Sequence, residues 1–263
     1  MVQLVLKQIS SIGESLIGLV NGLGDFTLFV SKTIFWTFKP PYRVKLLFDQ
    51  IYFMGNKSIF IIFLTSIFTG AVFAMQIYLG IKAINPDSFI GPIVTIALAK
   101  ELAPVLSGLV VAGRCGAAMA AQIGSMKVTE QIDALEVMGI NAHQYLAVPR
   151  ILGAMISMPL LSAIFLLIGY TGAWLIATKV LMIDPILYTQ KLSDFMNLGM
   201  VVEGLIKAAV FGYLIGVIGT YQGFNVTGGA EGVGKGTNMA VVWGMITVLV
   251  IDYFLTTFLA QIL

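Results

Sequence analysis

SIFIIFLTSIFTGAVFAMQIYL, residues 58–79, runs for 22 residues without a charge. A helix needs about 20 predominantly apolar residues to cross a bilayer, so this stretch reads as a membrane span. The rest of the chain agrees. It is 263 residues long, 58% hydrophobic and only 11% charged, with mean hydropathy +0.95, which lies outside the soluble globular range. Working outward, residues 89–113, 151–178, 205–221 and 239–262 read as four further spans. Lys100 and Glu101 interrupt the first of these, and Asp252 stands alone in the last. The fold class is an all-α integral membrane protein with five transmembrane helices.

Orientation follows from the basic residues near the span ends. Lys7, Lys32, Lys39, Arg43, Lys45, Lys57, Arg114, Lys127, Arg150 and Lys235 fall on one side, and Lys82, Lys179 and Lys191 on the other. Ten against three places the N-terminus in the cytoplasm and the C-terminus outside. The formal net charge of +2 is small and forms no basic stripe, so nucleic acid is excluded as a partner. The single cysteine rules out an internal disulfide, and the single histidine, His143, is too few for a histidine metal site and reads as a loop residue. No metal or cofactor motif appears.

Ahead of the first span, Lys7, Ser11, Glu14, Gly18, Asn21, Asp25 and Lys32 line one face of a helical wheel. Val5, Ile9, Ile12, Leu16, Leu19, Leu23, Phe26 and Val30 line the other. This is the pattern of a helix lying in the interface plane. Glu14 and Asp25 rule out a signal-peptide core. Residues 1–57 are therefore read as an interfacial helix and basic linker, and residues 58–263 as the five-span domain.

Three stretches carry chemistry. GGAEGVGKGT, residues 228–237, resembles a phosphate-binding loop, but Gly236 stands where a magnesium-binding Ser or Thr belongs and no strand precedes it. It reads as a flexible turn, with no nucleotide hydrolysis in this chain. Lys100 and Glu101 lie ~12 Å beyond Pro92 along a helix rising 1.5 Å per residue. Ionised groups at that depth are costly, so they either face a cavity or form a structural ion pair in the bundle. Pro104 lacks the N–H that would bond the Lys100 carbonyl, leaving a polar group free there. Asp252 has the same two readings. Beyond Pro104, Gly108, Ala112, Gly116, Ala120 and Gly124 form a small-residue stripe for close helix packing, within the subunit or across a dimer seam, with Arg114 snorkelling at the inner end.

The third stretch is SMKVTEQIDALEVMGI, residues 125–140. Thr129 is a candidate N-cap, and Gly139 can end a helix in the left-handed region. Val128, Ile132, Leu135 and Met138 form an apolar ridge beside Glu130, Asp133 and Glu136. A short cytoplasmic helix of this kind suits docking into a groove on another protein, whereas its acidic flank suits anionic lipid poorly.

KELAPVLSGLVVAGRCGAAMAAQIGSMKVTEQIDALEVMGI (100–140), YLAVPRILG (145–153) and GVGKGTNMAVV strongly resemble the MlaE-type permeases, over roughly residues 45–263. These are membrane subunits of ABC transporters that move phospholipid between the inner and outer membranes of bacteria. The resemblance implies a homodimer in the inner membrane, a cytoplasmic coupling helix (here 129–139) on a separate ABC ATPase, and MCE-domain proteins on the outer face. It maps ATPase docking to Glu130, Ile132, Asp133, Leu135, Glu136 and Met138. It maps lipid binding to Gln76, Tyr78, Leu79, Lys100 and Glu101, in a pocket between two copies. Gln122 departs from a glutamate and Cys115 from an alanine found in many members, which removes a titrating role at 122. The alternative is an ion-coupled secondary transporter relaying through Lys100, Glu101 and Asp252. Against it, no inverted repeat is visible and the docking helix would have no task.

Overall fold

The computed structural model describes residues 2–82, 86–259 and 261, and five of its helices are long and apolar enough to cross a membrane. α1 is Val2–Thr37 and α2 is Val44–Ile81. α3 spans Phe89–Val128, α4 is Gln131–Val137, and α5 spans His143–Val180. α6 is Pro185–Phe195, α7 Leu198–Phe224 and α8 Gly229–Leu259. The spans are α2, α3, α5, α7 and α8. α4 marks one end of the bundle and α6, packed on the start of α3, marks the other.

The helices start earlier than the uncharged runs suggest. α2 begins at Val44, ahead of the expected linker boundary at 57, because Lys45, Asp49 and Lys57 remain helical beyond the apolar stretch. α8 begins at Gly229 and so absorbs GVGKGT into its first turns. That corrects the flexible-turn expectation, and a continuous helix there offers no phosphate-cradling loop. Lys235 instead bonds Glu231 one turn back at 2.7 Å on the surface, a contact worth at most about 1 kcal/mol. The expected end of the last span at residue 262 lies outside the described residues.

Small residues decide which faces meet. On α2, Met54, Ser58, Ile62, Ser66, Gly70 and Ala74 are buried, while Phe60, Phe63, Phe68 and Val72 point outward. The buried row lies against α5 so closely that a Cβ on Gly70 would collide with the Gly169 carbonyl oxygen. Such contact supplies the van der Waals packing that drives helix association in lipid. The α3 stripe faces inward: a Cβ added to Gly108 would come within 3.3 Å of Val248, one added to Gly244 within 3.3 Å of Ala112, and one added to Gly116 within 3.5 Å of Ile215. It packs α7 and α8 of the same chain. Arg114 lies within α3, not at its end; its Nη1 donates to Ser58 Oγ at 2.7 Å, and its guanidinium lies 5.7 Å from the Phe53 ring centroid.

α1 rests on the α4 end of the bundle. Phe29 and Thr33 are buried, and Phe26 and Val30 pack on a cluster with Ala147, Ile151 and Val217. Ile17, Val20, Leu23 and Leu28 stay exposed. His143 is part of this packing rather than a loop residue: its ring stacks on Phe224 at 5.1 Å and lies 5.2 Å from Phe29.

Candidate functional site

Five ionisable side chains converge within the membrane-spanning bundle. Lys207 of α7 is fully buried. Its Nζ donates to Glu101 Oε1 at 2.8 Å, to Thr256 Oγ1 at 2.7 Å and to the Lys100 carbonyl at 3.1 Å. Asp252 Oδ1 lies 3.4 Å away and Glu203 Oε1 3.9 Å away. Lys100 turns to Glu203 Oε2 at 3.0 Å, and Thr256 donates to Glu101 Oε1 at 3.2 Å. Formally, two cations stand against three carboxylates, a net of −1.

Helix geometry explains the arrangement. Neighbouring residues on a helix point to different sides, so Lys100 and Glu101 do not bond each other and each finds its partner on α7. A π turn at Leu98–Leu102 precedes Pro104, which leaves the Lys100 carbonyl available, and Lys207 takes it. At 1.5 Å per residue, Lys207 lies ~14 Å into α7 and Asp252 ~10 Å before the end of α8. The charges therefore share one level, nearer the α6 end. Lys100, Glu101 and Asp252 are visible in the sequence as charges in apolar runs. Glu203 is missed there because the span is read from 205, and Lys207, inside that span, is left out of the comparison of basic residues. Their i,i+4 spacing is the signal that would have joined them. The network is not sealed: the Lys100 side chain is 28% exposed and that of Glu101 37%, against 3% for Glu203.

Beside it, α2 and α3 form an open groove of about 360 Å³ lined by Phe68, Thr69, Val72, Phe73, Gln76 and Leu102. Leu102 is the residue after Glu101, so the groove and the charges share a turn of α3. Gln76 contributes the groove's polar end. Tyr78 packs on the bundle core, and Leu79 is exposed outside the groove lining.

The second expected site is α4. The Thr129 hydroxyl bonds back to the Ser125 carbonyl at 2.9 Å and closes α3, so Thr129 is not the N-cap. Glu130, in the left-handed region at φ 57°, makes the corner into α4. Gly139, at φ 75°, ends it: its N–H donates to Glu136 O and that of Ile140 to Leu135 O, both at 2.9 Å. Ile132 is 2% exposed and Leu135 is half-buried, both in a cluster with Ile123, Ala142 and Leu146. The expected apolar ridge is thus split, since half of it holds α4 to its own chain. What faces outward is Val137, 89% exposed, with Met138, Glu130, Asp133 and Glu136. Asp133 accepts a bond from Lys127 at 2.9 Å. Gln122, where a glutamate was expected, accepts from Arg150 Nη2 at 3.5 Å, and Cys115 is buried beside Ser58.

The family model described as Permease MlaE matches residues 47–258. A probable ABC transporter permease protein of Rickettsia bellii is 38% identical over 96% of this chain and 98% of its own. The intermembrane phospholipid transport system permease protein MlaE of Haemophilus influenzae is 30% identical over 96% of this chain and 97% of its own. The chloroplastic protein trigalactosyldiacylglycerol 1 of Arabidopsis thaliana is 34% identical over 81% of this chain and 61% of its own.

Proposed function

Since the chain belongs to the Permease MlaE family, we propose that it carries phospholipid between two membranes, driven by a separate ATPase seated on α4. It is a multi-pass permease subunit of an ABC transporter. The observation that carries the proposal is the charged network, partly open at Lys100 and Glu101, one residue from a groove with an apolar wall. A phospholipid needs a cation for its phosphate and apolar surface for its tails. Lys100 supplies the first as a compact point charge, and Phe68, Val72 and Phe73 the second. Glu203, 3.0 Å from Lys100, offsets its charge, so a headgroup is held weakly enough to leave. One subunit's groove is open on its far side. A second copy would close it, and the remaining polar contact would come from Gln76.

The ATPase would read the outward part of α4, Val137 and Met138 rimmed by Glu130, Asp133 and Glu136. With the basic-rich α4 end in the cytoplasm, as the ten-to-three asymmetry implies, ATP is available where α4 docks. The C-terminus and α6 would then face the periplasm of a double-membraned cell, where an MCE-domain protein can receive or deliver the lipid. Purification from native membranes tests this. Mass spectrometry should find two copies of the chain, an ATPase and bound phospholipid; a single copy without an ATPase would contradict it.

A further inference from the structure

The elbow between α1 and α2 holds a second concentration of charge, at the α4 end of the bundle. Trp36, Leu47, Val148 and Leu152 floor a groove of about 250 Å³ whose rim carries Lys39 and Arg43. An adjoining hollow of about 450 Å³ shares Arg43 and adds Lys45 and Tyr145. Among the described residues, no carboxylate lines either space.

The cations are held in place by aromatic rings rather than by acids. The Arg43 guanidinium lies 4.5 Å from the Tyr145 centroid, and Lys39 Nζ 4.8 Å from Trp36. Gln144 Nε2 donates to the Lys39 carbonyl at 2.6 Å and fixes the loop. Arg43 Nε is buried and has no hydrogen-bond partner among the described residues. Rings position a cation without neutralising it, and a buried donor without an acceptor costs free energy. The elbow therefore presents positive charge that no acid among the described residues lining it offsets.

We propose that this elbow binds the phosphate of an anionic phospholipid from the leaflet on the α4 side, with an acyl chain along the apolar floor. The site is separate from the groove by Lys100, which opens on the half of α2 nearer α6. A free phosphate would satisfy Arg43 but leave Trp36, Leu47 and Leu152 uncovered at the end of a membrane span. Basic pockets beside transmembrane helices on a charged leaflet bind anionic headgroups in this way. The lipid would set the angle at which α1 leaves the bundle.

Trp36 supplies the probe. With Trp174→Phe and Trp243→Phe, the protein is reconstituted into vesicles containing brominated phosphatidylglycerol or brominated phosphatidylcholine, and quenching of Trp36 is compared. Phosphatidylglycerol should bind with a preference of about fivefold per cation. That preference should fall by more than about tenfold in Arg43→Gln with Lys39→Gln, the two cations of the groove that Trp36 floors, and persist in Lys57→Gln, which lies outside the groove. Equal quenching by both lipids in the otherwise unaltered protein would overturn the proposal, as would a preference left undiminished by loss of Lys39 and Arg43. Loss of the preference on adding millimolar inorganic phosphate would also overturn it, because the occupant would then be a free anion.

Discussion

Replacing Lys207 with methionine keeps the volume and removes the charge around which the network is built. The wild-type cluster has two cations and three carboxylates. Lys207→Met leaves Lys100 alone against Glu101, Glu203 and Asp252, and the net charge moves from −1 to −2. Lys207 is fully buried and its ammonium makes hydrogen bonds at 2.7, 2.8 and 3.1 Å. Removing one partner of a buried ion pair costs about 3–5 kcal/mol, because the other charge stays uncompensated. Adding Glu101→Gln returns the net charge to −1 and removes the nearest orphan carboxylate. The double variant should therefore recover about 2 kcal/mol or more of the loss, a non-additivity typical of groups in one network. Thermal unfolding of the four purified proteins in the same detergent measures the cycle. If Lys207→Met unfolds within 1 °C of wild type, or the double variant loses the sum of the single effects, the network described here does not hold the bundle together. Lipid transport by the same four proteins separates the roles: recovery of stability without recovery of transport would assign Glu101 and Lys207 to the cargo path.

Other residues give independent tests. Gly70→Val should reduce assembled protein sharply, because the added side chain meets the Gly169 backbone, which cannot rotate away; normal yield and melting temperature would contradict the α2–α5 contact. Val137→Arg or Met138→Arg should weaken co-purification of an ATPase with the fold intact, since a mismatched charge at an interface costs several kcal/mol. Ile132→Asp, by contrast, should destabilise the permease itself, because that side chain is buried in its own chain. Equal effects of all three on folding would remove α4 as a docking surface. With Cys115→Ala as background, cysteines at Val137 and Ile186 should label from opposite faces of the membrane; labelling from one face would contradict the five-span order.

The fold was legible wherever one rule dominates. Five apolar runs and the Gly139 stop were visible because hydropathy and the left-handed region leave few alternatives. The edges were not. Gly232, Gly234 and Gly236 make residues 228–237 look like a turn, yet they continue α8, whose first turns pack on the end of α3 with Val233 beside Gly124. The α4 ridge misled for a different reason. A helical wheel links Ile132 to Met138 through Leu135 in one ridge, but does not show that Ile132 meets Ile123 and Leu146 first. At the charged site, Lys100 and Glu101 stood out as neighbours in sequence, while their partners lie on another helix, where only the Glu203–Lys207 spacing hinted at them. The elbow cations entered only as topology markers, because their separation from acids is a property of three dimensions.

On the proposed function, phospholipid passes along the side of the bundle where Lys100 and Glu101 open. Proteoliposomes holding the intact complex with its ATPase, loaded with a fluorescent phospholipid, measure it directly. Addition of ATP should move the lipid, and Lys100→Ala should slow that movement at least about tenfold while ATP hydrolysis and assembly persist. Unchanged lipid movement by the assembled Lys100→Ala complex would contradict the account, and so would a wild-type complex that hydrolyses ATP and moves no lipid.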